Sequence, residues 1–175
     1  MSKPASTTLL PVSAFIGIGS NTGNPPQQLS AARKALGALP DVQVMATSPV
    51  YRTEPQGKKD QHWFHNQVAH VLCGPHWSAA SLLEALLAIE VALGRQRREE
   101  ERFGPRRIDL DLLLFGTEVG INKHICLPHP RMFERAFVLV PLQSIIPELV
   151  FPDGSSLQSR LAALSYRLHA DCIYQ

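Results

Sequence analysis

Residues 102 to 115 read Arg-Phe-Gly-Pro-Arg-Arg-Ile-Asp-Leu-Asp-Leu-Leu-Leu-Phe, placing cations, a Gly-Pro turn and two aspartates beside an apolar run. Leu110 and Leu112 to Phe115 read as a buried strand. A strand sends residues i and i+2 to one face, so Asp109 and Asp111 point together, about 7 Å apart at Cα. Two carboxylates facing each other from a hydrophobic strand repel and are costly to desolvate. A divalent cation makes them compatible at neutral pH. Mg²⁺ suits the pair, since it is held by one or two carboxylates plus substrate phosphates. Two ions about 3.5–4 Å apart would clamp an attacking and a leaving oxygen. An acidic edge strand is the plain alternative, but Ile108 and Leu110 to Phe115 are too apolar for an exposed edge.

Arg95, Arg97, Arg102 and Arg106 supply the positive complement, because guanidinium groups fork onto phosphate oxygens and stay charged. Gly94 at one end and Gly104-Pro105 at the other make the intervening segment a candidate lid. The alternation of these arginines with Glu99, Glu100 and Glu101 also reads as a solvated loop. His129 lies between Pro128 and Pro130, and Arg131 and Arg135 would share a face if a helix begins there. Thr53, Phe64 and Phe137 would each ordinarily be core residues. Asn66 is more telling, because Asn is depleted in strands and an amide can read the edge of a heterocycle. Gly17-Ile-Gly-Ser-Asn21 lacks the third glycine and acidic partner of a dinucleotide site, and its Gly-Ser-Asn end reads as the start of a turn that contacts the site.

The elements that must position these groups follow from periodicity. Ala14 to Ile18 is a short buried strand. Asn24 and Pro25 start a helix with Leu29, Ala32, Leu36 and Leu39 on one stripe. Val42, Val44 and Ala46 alternate as a strand running on through Val50-Tyr51, and residues 52 to 62 form a polar loop. In the strand from Trp63 to Cys73, Phe64, Asn66, Val68, His70 and Leu72 share one face. Ser78 caps a second helix with Leu82, Leu83, Leu86, Ile89 and Leu93 on its stripe, stopped by Gly94. The Asp-Leu-Asp strand comes next. The order β-α-β-β-α-β predicts an α+β, ferredoxin-like fold with two helices on one face of an antiparallel sheet. Residues 116 to 126 add a hairpin or edge strand, and 133 to 144 and 155 to 164 read as helices.

A chain of 175 residues with 45% hydrophobic content suits a single domain, placed at residues 13–165 with residues 1–12 a disordered lead-in. A net charge of +2 implies neither nucleic acid nor membrane as partner, and no apolar run reaches spanning length. Three cysteines without metal-ligand spacing suit a reducing cytoplasm. A monomer is expected.

Taken together, the chain resembles the 6-hydroxymethyl-7,8-dihydropterin pyrophosphokinase family of folate biosynthesis. The matching segments are Gly19-Ser-Asn21, Tyr51-Arg-Thr53, Phe64-x-Asn66, Gly94-Arg-x-Arg97, Arg102-Phe-Gly-Pro-Arg106 with Ile108-Asp-Leu-Asp111, Pro128-His-Pro-Arg131 and Arg135-x-Phe137. The resemblance implies transfer of pyrophosphate from ATP to the pterin hydroxymethyl oxygen, releasing AMP. It implies two Mg²⁺ on Asp109 and Asp111, and Arg95 and Arg97 on a catalytic loop. Arg106, His129 and Arg135 would contact the triphosphate, with Glu90 near the site. Phe64 and Phe137 would sandwich the pterin, while Thr53 and Asn66 bond its edge. Phe103 stands where the family commonly has Trp, and keeps the stacking surface. The loop after Arg97 is Glu-rich and longer than usual, which leaves Arg97 and Arg98 interchangeable in the match. Two other classes compete: a two-metal nucleotidyltransferase-like palm, and a non-catalytic ligand- or RNA-binding module of the same fold.

Overall fold

The structure is a computed structural model that describes residues 10–56, 59–96, 104–121 and 125–175. A seven-stranded sheet runs through it in the order β5-β1-β4-β3-β9-β8, with β2 also paired to β4. The strands are β1 (Val12–Ser20), β2 (Val42–Thr47), β3 (Tyr51–Thr53), β4 (Phe64–Cys73), β5 (Asp109–Phe115), β8 (Arg167–His169) and β9 (Cys172–Tyr174). Gly120–Ile121 (β6) and Cys126–Leu127 (β7) form a separate small hairpin.

Helices α1 (Pro25–Gly37) and α2 (Ala79–Ala92) start where the capping residues dictate. The Asn24 side chain accepts from the Gln27 N–H, with Pro25 and Pro26 following in the first turn. Ser78 and Ser81 form a reciprocal capping box. Both helices cover one sheet face, where Leu29, Ala32, Leu36, Leu82 and Leu86 pack fully buried on Ala14, Ile16, Ile18 and Val71. The opposite face is covered by α3 (Ala136–Ile145) and α4 (Leu157–Ala162), packed on Phe15, Val68 and Leu113. Each fully buried Leu removes enough apolar surface to contribute about 1.5–3 kcal/mol.

The ferredoxin-like core is present, with differences that have local causes. The second strand does not run on through Val50. Ser48 ends it by accepting the Val68 N–H on its hydroxyl, and Pro49 has no N–H to continue a ladder, so β3 forms separately. The sheet is not wholly antiparallel, because β9 pairs parallel to β3, Arg52 opposite Cys172 and Thr53 opposite Ile173. The β8–β9 strands were not foreseen, and they carry the sheet past residue 165. The helix expected over 133–144 is a 3₁₀ turn (Met132–Glu134) followed by α3. Arg135 between them is extended (φ −120°, ψ 104°), so Arg131 and Arg135 do not share a helical face. The expectation for residues 1–12 falls mostly outside the described residues.

Candidate functional site

Asp109 and Asp111 begin β5 and point to the face shared with α3. Their cross-strand partners on β1 are Gly19 and Gly17. Neither partner has a side chain, so the sheet opposite both carboxylates is bare. A Cβ at Gly17 would stand 3.7 Å from that of Asp111, and one at Gly19 only 2.8 Å from the Asn66 side-chain oxygen. The alternation of glycines along β1 is thus the counterpart of the alternation of aspartates along β5.

The two carboxylates differ. Asp109 accepts from Arg95 through one oxygen and from Arg106 through the other. Burial would raise its pKa, but the Arg106 and Arg95 guanidiniums outweigh that and hold it below the usual range. Asp111 has longer contacts, with Arg135 Nη1 at 3.7 Å and His129 Nε2 at 4.0 Å. Burial and the neighbouring Asp109 push its pKa up to about 6.

Arg95 is placed by the way α2 ends. Gly94 adopts φ +88°, its N–H donates to the Val91 carbonyl, and the Arg95 N–H reaches back to the Glu90 carbonyl. This paired pattern is a Schellman stop. It turns Arg95 back along the helix, where its guanidinium donates to the fully buried Glu90 carboxylate at 2.7 Å as well as to Asp109. Arg106 is placed from the other side. Asn21, at the end of β1, accepts the Arg106 N–H on its side-chain oxygen at 2.7 Å and donates its own N–H to the Arg106 carbonyl at 3.0 Å. Ser20 donates to the Arg107 carbonyl at 2.6 Å. Gly19 and Ser20 are therefore the end of β1 and not the start of a turn, and Ser20 and Asn21 fix the arginine segment from the strand end.

His129 follows β7. Its N–H donates to the Leu113 carbonyl, and Nδ1 accepts from the Arg131 N–H at 3.3 Å, which assigns the proton of the neutral ring to Nε2, the atom facing Asp111. Burial and the adjacent Arg135 lower its pKa to about 4. The Arg135 guanidinium lies over the Phe137 ring at 5.3 Å, and its buried Nε has no hydrogen-bond partner among the described residues.

Away from the carboxylates, the same cleft is closed by Thr53, Phe64, Asn66 and Phe137. The Asn66 amide donates to the Thr53 hydroxyl at 2.7 Å, both side chains being buried. That bond fixes the amide and leaves the Thr53 proton free to donate into the cleft. Phe64 and Phe137 face the cleft from β4 and α3, which suits a flat ring between them.

Of the residues singled out from the sequence, Thr53, Phe64, Asn66, Arg106, Asp109, Asp111, Arg135 and Phe137 line one cleft. Glu90 and Arg95 stand behind Asp109, and His129 beside Asp111. Arg97, Arg98, Arg102 and Phe103 lie outside the described residues. Sequence reasoning passed over Gln56 and gave Gly17 no role opposite Asp111. For Gly17 the signal was present, because glycine at alternate positions of an apolar strand marks a close approach.

Comparison with known proteins decides the family. The model of the 7,8-dihydro-6-hydroxymethylpterin-pyrophosphokinase (HPPK) family matches residues 15–147. The chain belongs to this family. A 2-amino-4-hydroxy-6-hydroxymethyldihydropteridine pyrophosphokinase of Methylorubrum extorquens is 45% identical over 152 residues, covering 86% of this chain and 92% of the relative. The enzyme of the same description from Pseudomonas aeruginosa is 41% identical over 152 residues, covering 87% and 91%. A solved Plasmodium falciparum HPPK-DHPS triple mutant shares the fold at TM-score 0.68 and 14% identity. The match takes in 90% of this chain and 44% of that one, so the present chain spans under half of the solved protein. Family membership makes the chain an enzyme, a pyrophosphokinase, and sets aside the palm-like and RNA-binding alternatives.

Proposed function

We propose that the protein transfers a pyrophosphoryl group from ATP to the hydroxymethyl oxygen of 6-hydroxymethyl-7,8-dihydropterin, with Mg²⁺ held by Asp109 and Asp111 and AMP as the second product. One observation carries the reading: a single cleft is lined at one end by two aspartates and three arginines, and at the other by two phenylalanines and a Thr–Asn amide pair. A phosphatase or a plain nucleotide binder has no use for the second half.

The donor set fits the metal. The cleft offers two carboxylates from one strand face, opposite glycines that carry no side chain. That suits an ion completed by water and phosphate oxygens. Bound there, two Mg²⁺ would neutralise charge on the transferring group. The chain's own groups do the rest. Arg106 and Arg135 line the cleft and orient the polyphosphate through their guanidiniums. His129, neutral, offers its Nε2 proton as a further donor. Arg95, braced on Glu90, places positive charge where the leaving AMP gains negative charge. Arg97 on the adjoining loop adds to that charge, and Phe103 adds stacking surface. Thr53 and Asn66 fix the pterin edge so that the hydroxymethyl oxygen is aimed at the β-phosphorus. The bond from that phosphorus to the α,β-bridging oxygen breaks as the new P–O bond forms, and the hydroxyl proton passes to solvent. Positioning and electrostatics carry such a transfer without a side-chain base.

No described helix is long and apolar enough to cross a membrane, and Cys73, Cys126 and Cys172 are all unpaired, which supports a reducing cytoplasm. The test is to incubate the chain with ATP, Mg²⁺ and the pterin and to resolve the nucleotides. AMP formed only in the presence of the pterin supports the proposal, whereas ADP, or AMP without pterin dependence, refutes it.

A further inference from the structure

Arg135 and Phe137 sit on either side of Ala136, the first residue of α3, and α3 begins without a cap from its own chain neighbours. Arg135 occupies the N-cap position with no side-chain cap hydrogen bond. The missing partner comes from 39 residues away. The Gln175 side-chain oxygen accepts the Ala136 N–H at 2.8 Å, and its amide donates to the Glu134 carbonyl at 2.8 Å. One side chain thus bonds the peptide groups immediately before and after Arg135. The same oxygen also accepts from the Gln56 amide at 3.0 Å. Gln56 lines the cleft beyond Thr53.

We propose that Gln175 is a positioning residue for the acceptor end of the cleft: its amide locks the Arg135 junction and ties it to the Gln56 wall, so that Phe137 faces Phe64 at a fixed spacing. The assignment of that end to a pterin rests on the function proposed above. The physical grounds are independent of it. The first N–H groups of a helix have no intrahelical partner, and a side-chain acceptor there fixes the entry of the chain into the helix. Arg135 is extended between a 3₁₀ turn and α3; its N–H donates to the Met132 carbonyl and its carbonyl accepts from Val138 and Leu139, whereas the Ala136 N–H takes its partner from Gln175. Gln175 is itself set by pairing. Strand β9 lies parallel to β3, and the Arg52 N–H donates to the Asp171 carbonyl at 2.8 Å, so the residues after Tyr174 are delivered beside Gln56. Gln175 is exposed, and its replacement leaves the core untouched.

The full chain is compared with Gln175→Ala and Gln175→Glu, the latter keeping an acceptor for Ala136 while losing the donor to Glu134. Two readouts are taken: hydrogen exchange of the Ala136 amide without ligands, and steady-state kinetics with each substrate varied. The proposal expects Gln175→Ala to speed Ala136 exchange and to raise KM for the pterin about tenfold while kcat falls less than about threefold. Gln175→Glu should restore Ala136 protection and most of the KM. If Gln175→Ala leaves Ala136 exchange and the pterin KM within about twofold of the parent, the proposal is overturned. The same holds if Gln175→Glu protects Ala136 without recovering KM. A parent chain that makes no AMP would defeat the reaction, and ligand-free Ala136 exchange would then decide the clamp separately.

Discussion

Glu90 and Arg95 are joined twice, once through backbone and once through side chain. The Arg95 N–H donates to the Glu90 carbonyl at 3.0 Å, and the Arg95 guanidinium donates to the Glu90 carboxylate at 2.7 Å. The same carboxylate oxygen accepts the Leu110 N–H at 2.7 Å. One fully buried acid therefore holds the end of α2, the start of β5 and an arginine of the site in register.

Removing that acid strands two donors in a buried place. Glu90→Ala is expected to destabilise the fold by about 3–5 kcal/mol, the usual cost of breaking a buried charge pair. Glu90→Gln, which keeps an acceptor, should cost clearly less. Denaturant midpoints of the two variants check this, and an Ala variant within about 1 kcal/mol of the parent would contradict it.

Asp111 sets a pH dependence of definite sign. Its pKa in the fold is raised to about 6 from an ordinary 3.8, so folding favours the protonated acid. Its contribution to stability is complete below pH 3.8 and is lost as pH rises through 6. In the ligand-free chain, Asp111→Asn should therefore gain on the parent across that window and stay ahead above it, as melting curves against pH would reveal. The same variant should lose more than about a hundredfold in kcat, because the proposed Mg²⁺ site would keep only one anion.

His129 behaves oppositely. Its pKa falls from 6.5 to about 4, so the fold favours the neutral ring, and its contribution is present above pH 6.5 and lost as pH falls through 4. Imidazole NMR shifts of His129 should stay flat from pH 8 to about 5.5, with the proton on Nε2. A midpoint near the ordinary histidine value would show the ring to be more open to solvent than its packing indicates.

Gly19→Ala places a methyl 2.8 Å from the Asn66 side-chain oxygen. Asn66 must turn from its bond with Thr53, so KM for the pterin should rise about tenfold and KM for ATP far less. Equal loss on both substrates would mean that the methyl disturbs the carboxylates instead.

Much of this site could be read from the sequence because its chemistry is local. Asp109 and Asp111 share a face by strand geometry alone, and Asn66 is conspicuous in a strand otherwise suited to apolar residues. The helix starts at Asn24 and Ser78 and the stop at Gly94 were legible for the same reason. The break at Ser48-Pro49 was missed because a side-chain hydrogen bond to β4 ends the strand, and no periodicity records such a bond. The β8–β9 extension and the Gln175 contacts depend on pairing with segments more than a hundred residues earlier in the chain. Arg135 falls between two helical segments whose joint hydrophobic pattern reads as one. Its own N–H and carbonyl bond within those segments, but the adjoining Glu134 carbonyl and Ala136 N–H are held by Gln175 from elsewhere in the fold.

Strand β1 has a consequence for how the chain is made. It pairs on one side with β4 and on the other with β5, and the bond from Arg106 back to Asn21 spans 85 residues. During synthesis β1 and β4 can join while β5 is still unmade, leaving the side of β1 that β5 will later cover as an open hydrogen-bonding edge. Such an edge recruits foreign strands when it is apolar and regular. Gly17 and Gly19 interrupt it at the residues that will later face the two aspartates, and glycine is a poor strand former. The bare stretch opposite the two aspartates in the finished enzyme thus also blunts the nascent chain against aggregation.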